Sequence, residues 1–315
     1  MGSDTQSGLG EIMGIVNVAF YRRAMRQFGI MLPKDVTENA GIGVGINMGK
    51  NNRRGFVAPN KFLFDEEMTV TIAGLKLKLI HIPGETDDQI GVWVPELKAF
   101  FCGDDVYRAF PNLYAIRGTT FRSLSKWIES VDKMRSLNAE FIIPSHTEFL
   151  QGKDHIYEIL TVYRDAIQYV HDQTVRFMNK DMHPDDIASR VQLPKHIRDH
   201  PFLIEFYGTV PWSSKGLFNG YMGWFSGDPV DLNTYPLAVR AERLVKLGGG
   251  VAKVLEAAQE AHNSGDLQWA LELASAVLKV SPRSVEAKEL KIKALLDLAK
   301  TQTSANGYNY YMTII

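Results

Sequence analysis

The stretch "HIPGETDDQIGVWVPELKAFFCGDDV" (His81–Val106) sets a Pro-Gly-acid turn and a Gly-acid turn each at the end of an apolar run. Just upstream, "MTVTIAGLKLKLIHIPG" reads as two strands joined at Ala73-Gly74, with Leu75, Leu77 and Leu79 alternating with lysines and sharing one face. "IGVWVPELKAFFCG" reads as a hairpin that turns at Pro95-Glu96. Downstream, "SLSKWIESVDKMRSL" carries Leu124, Trp127, Ile128, Val131 and Met134 at helical spacing behind a serine start signal. "AEFIIPSH" is a short apolar strand that ends in a Pro-Ser-His turn. Strands, a helix and another strand in this order make the edge of an α/β domain.

Beyond Lys153 the texture changes to helix. "DHIYEILTVYRDAIQYVHDQTVRFM" holds Ile156, Ile159, Tyr163, Ala166, Ile167 and Val170 on one stripe. Pro184-Asp185-Asp186 opens another helix, with proline in the first turn and acids at the positive end of the dipole. "SGDPVDLNTYP" reads as a loop, and the following stretch gives three amphipathic helices broken at Asn263–Asp266 and at Ser281-Pro282. That texture is similar to a tetratricopeptide hairpin. The predicted division is an α/β unit over residues 1–152 and an all-α unit over 153–315.

A length of 315 residues fits about two domains. A net charge of −1 gives no sequence-independent grip on nucleic acid or an anionic membrane. No apolar run reaches the roughly 20 residues of a membrane span. No charged-then-apolar leader opens the chain, so the default compartment is the cytoplasm, and Gln6 breaks the N-myristoylation pattern. The single cysteine, Cys102, rules out an internal disulfide and reads as a buried structural thiol. "GIGVGINMGKNN" (Gly41–Asn52) has the wrong spacing for a phosphate loop and no Ser or Thr after Gly49-Lys50, so it reads as a Gly-rich loop.

Three turns follow strands in order: Pro83-Gly84-Glu85, Gly103-Asp104 and Pro144-Ser145-His146. Singly, these are a solvated acid, a cap and a surface histidine. Together they lift two carboxylates and an imidazole off strand ends, a donor set suited to a first-row divalent metal such as zinc. His81, two residues before the first turn, reads as a packing residue.

The ordered triple resembles the last three metal motifs of the metallo-β-lactamase fold. "PGETDDQIGVWVPELKAFFCGDDVYRAFPNLYAIRG" is similar to the alkylsulfatase branch, in which glutamate occupies the first turn, and "PSHTEFLQG", "YVHDQTVRFMN" and "GYMGWFSGDP" follow in the family's order. The resemblance runs from about residue 10 to the end. It implies part of an αββα sandwich followed by an α-helical, tetratricopeptide-like dimerisation domain. It also implies a two-zinc hydrolase of alkyl sulfate esters that forms a homodimer through residues 153–315. On the matching positions, Glu85 and His146 are terminal metal ligands and Asp104 the bridging carboxylate, where the family more often has glutamate. Asn112 and Arg117 lie in the sulfate-holding "NLYxxRG" segment, and a planar guanidinium suits a sulfate monoester.

Departures from the family pattern set further expectations. None of the eight histidines forms the family's HxHxDH motif. The chain therefore reads as beginning inside the catalytic domain and ending before the family's sterol-carrier-like domain. Phe28 and Phe218 stand where the family has tyrosines around the sulfate, and Trp212 where it has a histidine. With three ligands left, the expectation is weak mononuclear metal binding at most and little or no turnover. The rival readings are a non-catalytic dimerising remnant and a metallo-β-lactamase-fold hydrolase of another ester.

Overall fold

The structure, a computed structural model, describes residues 17–42, 59–63 and 65–315. Six strands form one sheet in the order of the chain: β1 (Glu67–Ile72), β2 (Leu75–His81), β3 (Ile90–Val94), β4 (Ala99–Gly103), β5 (Phe141–Pro144) and β6 (Leu150–Gln151). The β1–β2 hairpin closes through Ala73 and Gly74 at φ 51° and 84°, the left-handed pair that a two-residue turn needs. Pro95–Leu97 forms the 3-10 turn between β3 and β4, and Lys98 completes it at φ 48°. The Gly-rich loop lies outside the described residues apart from Gly41 and Ile42.

Strand direction decides where the acids go. β2, β3 and β4 pair antiparallel in succession, and β4 pairs parallel with β5 through the crossover helix α2 (Leu124–Ser136). Thus β2, β4 and β5 all point the same way. The turns after them emerge at one edge of the sheet, which carries Glu85, Asp104 and His146 to the same end of the fold.

One face of the sheet is dry. Ile80, Phe100, Cys102 and Ile142 pack with Trp127, Val131 and Met134 of α2 and with the buried stripe of α3 (Lys153–Met178). Each large apolar side chain buried there is worth about 1.5–3 kcal/mol. The ring of Phe100 lies over Gly91, where any Cβ would collide with it. Ser123 caps α2 as its sequence predicts, its hydroxyl accepting the Lys126 N–H. The same core continues into α4 (Pro184–Arg190) and α6 (Val210–Met222), so α3 belongs to a packing unit that crosses residue 152.

The other face is half-open. Met68, Leu79, Val92, Phe101 and Ile143 lie opposite one another in register, and Phe101 is 45 % exposed. The aligned leucines of β2 fall on this face; the residue of β2 that reaches the core is Ile80.

The remaining helices are α1 (Asn17–Gln27), α5 (Lys195–Arg198), α7 (Pro229–Leu232), α8 (Leu237–Leu247), α9 (Val251–Ser264), α10 (Leu267–Val280), α11 (Val285–Lys300) and α12 (Ala305–Ile314). α7 is one turn inside the segment expected to be loop. Gly265, left-handed at φ 85°, ends α9, and Asp266 caps α10 by accepting the Trp269 N–H. Val254, Ala258, Leu273, Val277 and Leu290 build a second core between α9, α10 and α11. α12 folds back to the start of the chain, where Asn309 Oδ1 accepts the Glu38 N–H and its Nδ2 donates to the Glu38 carbonyl, both at 3.1 Å.

Candidate active site

The three turns are tied to one another through backbone N–H donors. The Glu85 N–H donates to Asp105 Oδ1 at 2.9 Å, and the Ser145 N–H donates to the Gly103 carbonyl at 2.9 Å. Gly84 has to be glycine, because a Cβ there would stand 2.5 Å from Asp105 Oδ1. Gly103 sits at φ 61°, the left-handed region glycine favours, and so turns Asp104 back over the sheet edge.

The side chains follow. Asp104 Oδ1 lies 2.6 Å from His146 Nδ1. The Glu85 carboxylate stands beside Asp104 and takes an ion pair from Arg122 Nη1 at 2.9 Å. Burial pushes the Glu85 carboxyl above its usual range; Arg122 opposes this and the neighbouring Asp104 adds to it. Asp105 is fully buried and pushed further up, again by burial first, and its Oδ2 has no hydrogen-bond partner.

The predicted sulfate-holding residues lie alongside. Asn112 is buried; its N–H donates to the Tyr107 hydroxyl at 2.8 Å, and its carbonyl accepts from Arg122 Nη1. Turned with its side-chain oxygen 3.3 Å from Arg122, its amide donates to the Tyr114 carbonyl at 2.9 Å. Arg117 anchors its backbone N–H on Gln27 Oε1 at 2.9 Å and sends Nη1 to the Tyr207 hydroxyl at 3.4 Å. Its guanidinium lies 5.9 Å from the ring centre of Phe20 and 5.8 Å from that of Phe28. Phe28 thus borders Arg117, whereas Phe218 is buried in the main core and Trp212 lines a separate cleft. His81 reaches the Asp87 carbonyl at 2.8 Å. Cys102 is wholly buried, and burial raises its thiol, which suits a packing role.

Sequence reading missed Arg122, Asp105 and Tyr207. Arg122 follows Arg117 by five residues, a spacing that nothing in the sequence singles out.

Among the described residues, no group of three His, Cys, Asp or Glu side chains is placed to hold a metal ion. In kind, however, the donors fit a divalent cation. Glu85, Asp104 and His146 lie at one edge, and Oδ2 of the buried Asp105 beside them has no hydrogen-bond partner.

Residues 10–146 match the family described as the metallo-beta-lactamase superfamily, and residues 183–315 match alkyl sulfatase dimerisation. A linear primary-alkylsulfatase of Pseudomonas is 37 % identical over 92 % of this chain and 55 % of its own length. Over those two spans the chain belongs to the metallo-β-lactamase superfamily and to the alkyl sulfatase dimerisation family. Other members at similar coverage include the alkyl/aryl-sulfatase BDS1 of Saccharomyces cerevisiae, 26 % identical over 93 % of this chain and 46 % of its own. The solved structure of the stereoselective inverting sec-alkylsulfatase Pisa1 from Pseudomonas superposes with a TM-score of 0.85 at 25 % identity, covering 94 % of this chain and 47 % of that one. The chain therefore spans about half the length of these alkylsulfatases. Its fold is theirs over that span: the metallo-β-lactamase sheet followed by the helical dimerisation region.

Proposed function

We propose that this chain serves the hydrolysis of alkyl sulfate esters at the edge formed by the turns after β2, β4 and β5. One observation carries the reading: two carboxylates and an imidazole from three separate strands meet there, with Asp104 and His146 at 2.6 Å and Arg117 close enough to Glu85 to influence its charge. A negative sulfate head needs positive charge, and a cation held among carboxylates together with a fixed guanidinium supplies it.

Glu85, Asp104 and His146 would hold the metal, which is zinc in this reading. When bound, such an ion acidifies water and draws charge from the departing sulfate. The chain's own residues do the rest. Arg117 pairs the sulfate oxygens through its planar fork, and the Tyr207 hydroxyl and Gln27 fix its direction. Phe20 and Phe28 flank the guanidinium. Arg122 pins Glu85 and the Asn112 carbonyl together, so the ligand turn and the sulfate-holding segment move as one body.

The sequence carries no HxHxDH motif, and in this reading the three turns supply donors for one metal. Zinc analysis of purified protein should therefore give about one ion per chain, and sulfate release from a linear primary alkyl sulfate should be slow. Two tightly held zincs with ready turnover would refute this stoichiometry; no zinc at all would refute the site.

The dimer has a surface to use. The segment from Tyr221 to Leu237 leaves Trp224 73 % exposed, and Leu247 at the end of α8 is 87 % exposed. Arg243 of α8 lies 4.0 Å from the ring centre of Tyr235, so α8 is in contact with that segment. Large apolar side chains left in water at this density mark a protein-binding surface. In this reading a second copy covers them.

A further inference from the structure

A cleft of about 500 Å3 opens between the loop that precedes α6 and the turn joining α11 to α12. That is a small-ligand volume. None of Glu85, Asp104, Asn112, Arg117 or His146 lines it. Its apolar walls are Leu193, Leu203, Pro211 and Trp212, and its polar wall carries Glu205.

Glu205 is an acid without a counter-ion. One carboxylate oxygen accepts the Val210 N–H at 3.2 Å, and the other has no hydrogen-bond partner among the described residues. No Lys, Arg or His of the described residues pairs with it, and burial raises its carboxyl above the ordinary 4.5. Arg198 lines the same cleft, but its Nε is spent on Asp199 at 3.1 Å, and Asp199 also takes Lys195 at 3.0 Å. Among the residues that line the cleft, Arg198 and Asp199 thus pair with each other, and Glu205 is the acid left without a partner.

Trp212 supplies the other half of a recognition pair. Its backbone N–H donates to the Thr209 hydroxyl at 3.3 Å, which fixes the residue in the first turn of α6. The far edge of its indole rests over Gly307, where a Cβ would stand 3.4 Å from Cη2. An aromatic wall beside a lone carboxylate attracts a cation with an apolar body, through the ring quadrupole and the charge together.

We propose that this cleft binds an organic ammonium ion, with its charged head at Glu205 and its alkyl part against Trp212 and Leu203. The site is separate from the sulfate-ester edge and would act whether or not that edge is catalytic.

The test uses choline and its neutral isostere 3,3-dimethylbutan-1-ol, titrated into the full chain by calorimetry and followed on the indole N–H resonances. Choline should saturate the cleft at least about tenfold more tightly than the alcohol. Glu205→Gln keeps an acceptor for the Val210 N–H and should abolish that difference. Trp212→Leu keeps the apolar wall without the ring and should weaken choline while sparing the alcohol. Should one variant fail to fold, the other still decides. Equal affinity for the two ligands, choline binding untouched by the folded variants, or no saturable binding at all would overturn the proposal.

Discussion

Arg122 donates to Glu85 at 2.9 Å with both side chains almost wholly out of water, and the same guanidinium nitrogen donates to the Asn112 carbonyl. A buried pair of this kind is a poor source of net stability but costly to break, because the surviving partner keeps its charge without relief. Arg122→Met should therefore destabilise the fold by about 3–5 kcal/mol in urea unfolding. Adding Glu85→Gln should recover much of that loss. Equal stability of the single and double variants would show that the Arg122 contribution comes from the Asn112 carbonyl alone.

Asp104 Oδ1 and His146 Nδ1, 2.6 Å apart, join the turns after β4 and β5. If they share an ion, His146→Ala and Asp104→Asn should each weaken zinc binding at least about tenfold. Competition against a chromophoric chelator would read this directly. His196→Ala, at an exposed position of α5, should change nothing.

Trp224 offers the largest exposed ring of the helical half. Buried at a dimer interface, it would rank with the anchors whose loss costs roughly 2 kcal/mol or more. Trp224→Ala paired with Leu247→Ser should shift sedimentation from dimer toward monomer at fixed protein concentration. An unchanged distribution would move the interface elsewhere.

Glu205 gives a pH signature. Its folded-state pKa lies above the unfolded value, so the folded chain holds this proton more tightly. Its contribution favours folding below the unfolded pKa and is lost as pH rises through the folded one. Glu205→Gln should thus melt about 2 °C higher than the parent at pH 8, with the gain vanishing below the ordinary carboxylate range. A constant difference across pH would show that Glu205 does not titrate abnormally.

The fold was legible wherever a local signal decides local structure. Ala73-Gly74 supplies its own left-handed turn, Ser123 its own cap, and the helical stripe of α3 repeats long enough to be unambiguous. The β2 leucines show the limit. Alternation tells which residues share a face but not which face is dry, and here the half-open face holds them. The candidate site divides in the same manner. Glu85, Asp104 and His146 advertise themselves as turn residues after strands, and Arg117 sits in an ordered motif. Arg122, Asp105 and Tyr207 matter through partners 37, 20 and 90 residues away, at Glu85, Glu85 and Arg117, and no window on the sequence contains those pairings.

The clasp between Asn309 and the Glu38 backbone has a reach beyond its two hydrogen bonds. It fastens the segment after α1, whose first residue, Phe28, borders Arg117, next to Gln27 at the end of α1, which accepts the Arg117 N–H. A nick by a protease in the turn before α12 would release that fastening from the far end of the polypeptide. The guanidinium would lose its scaffold although no residue near it had been touched, so the last helix acts as a remote strut for Arg117.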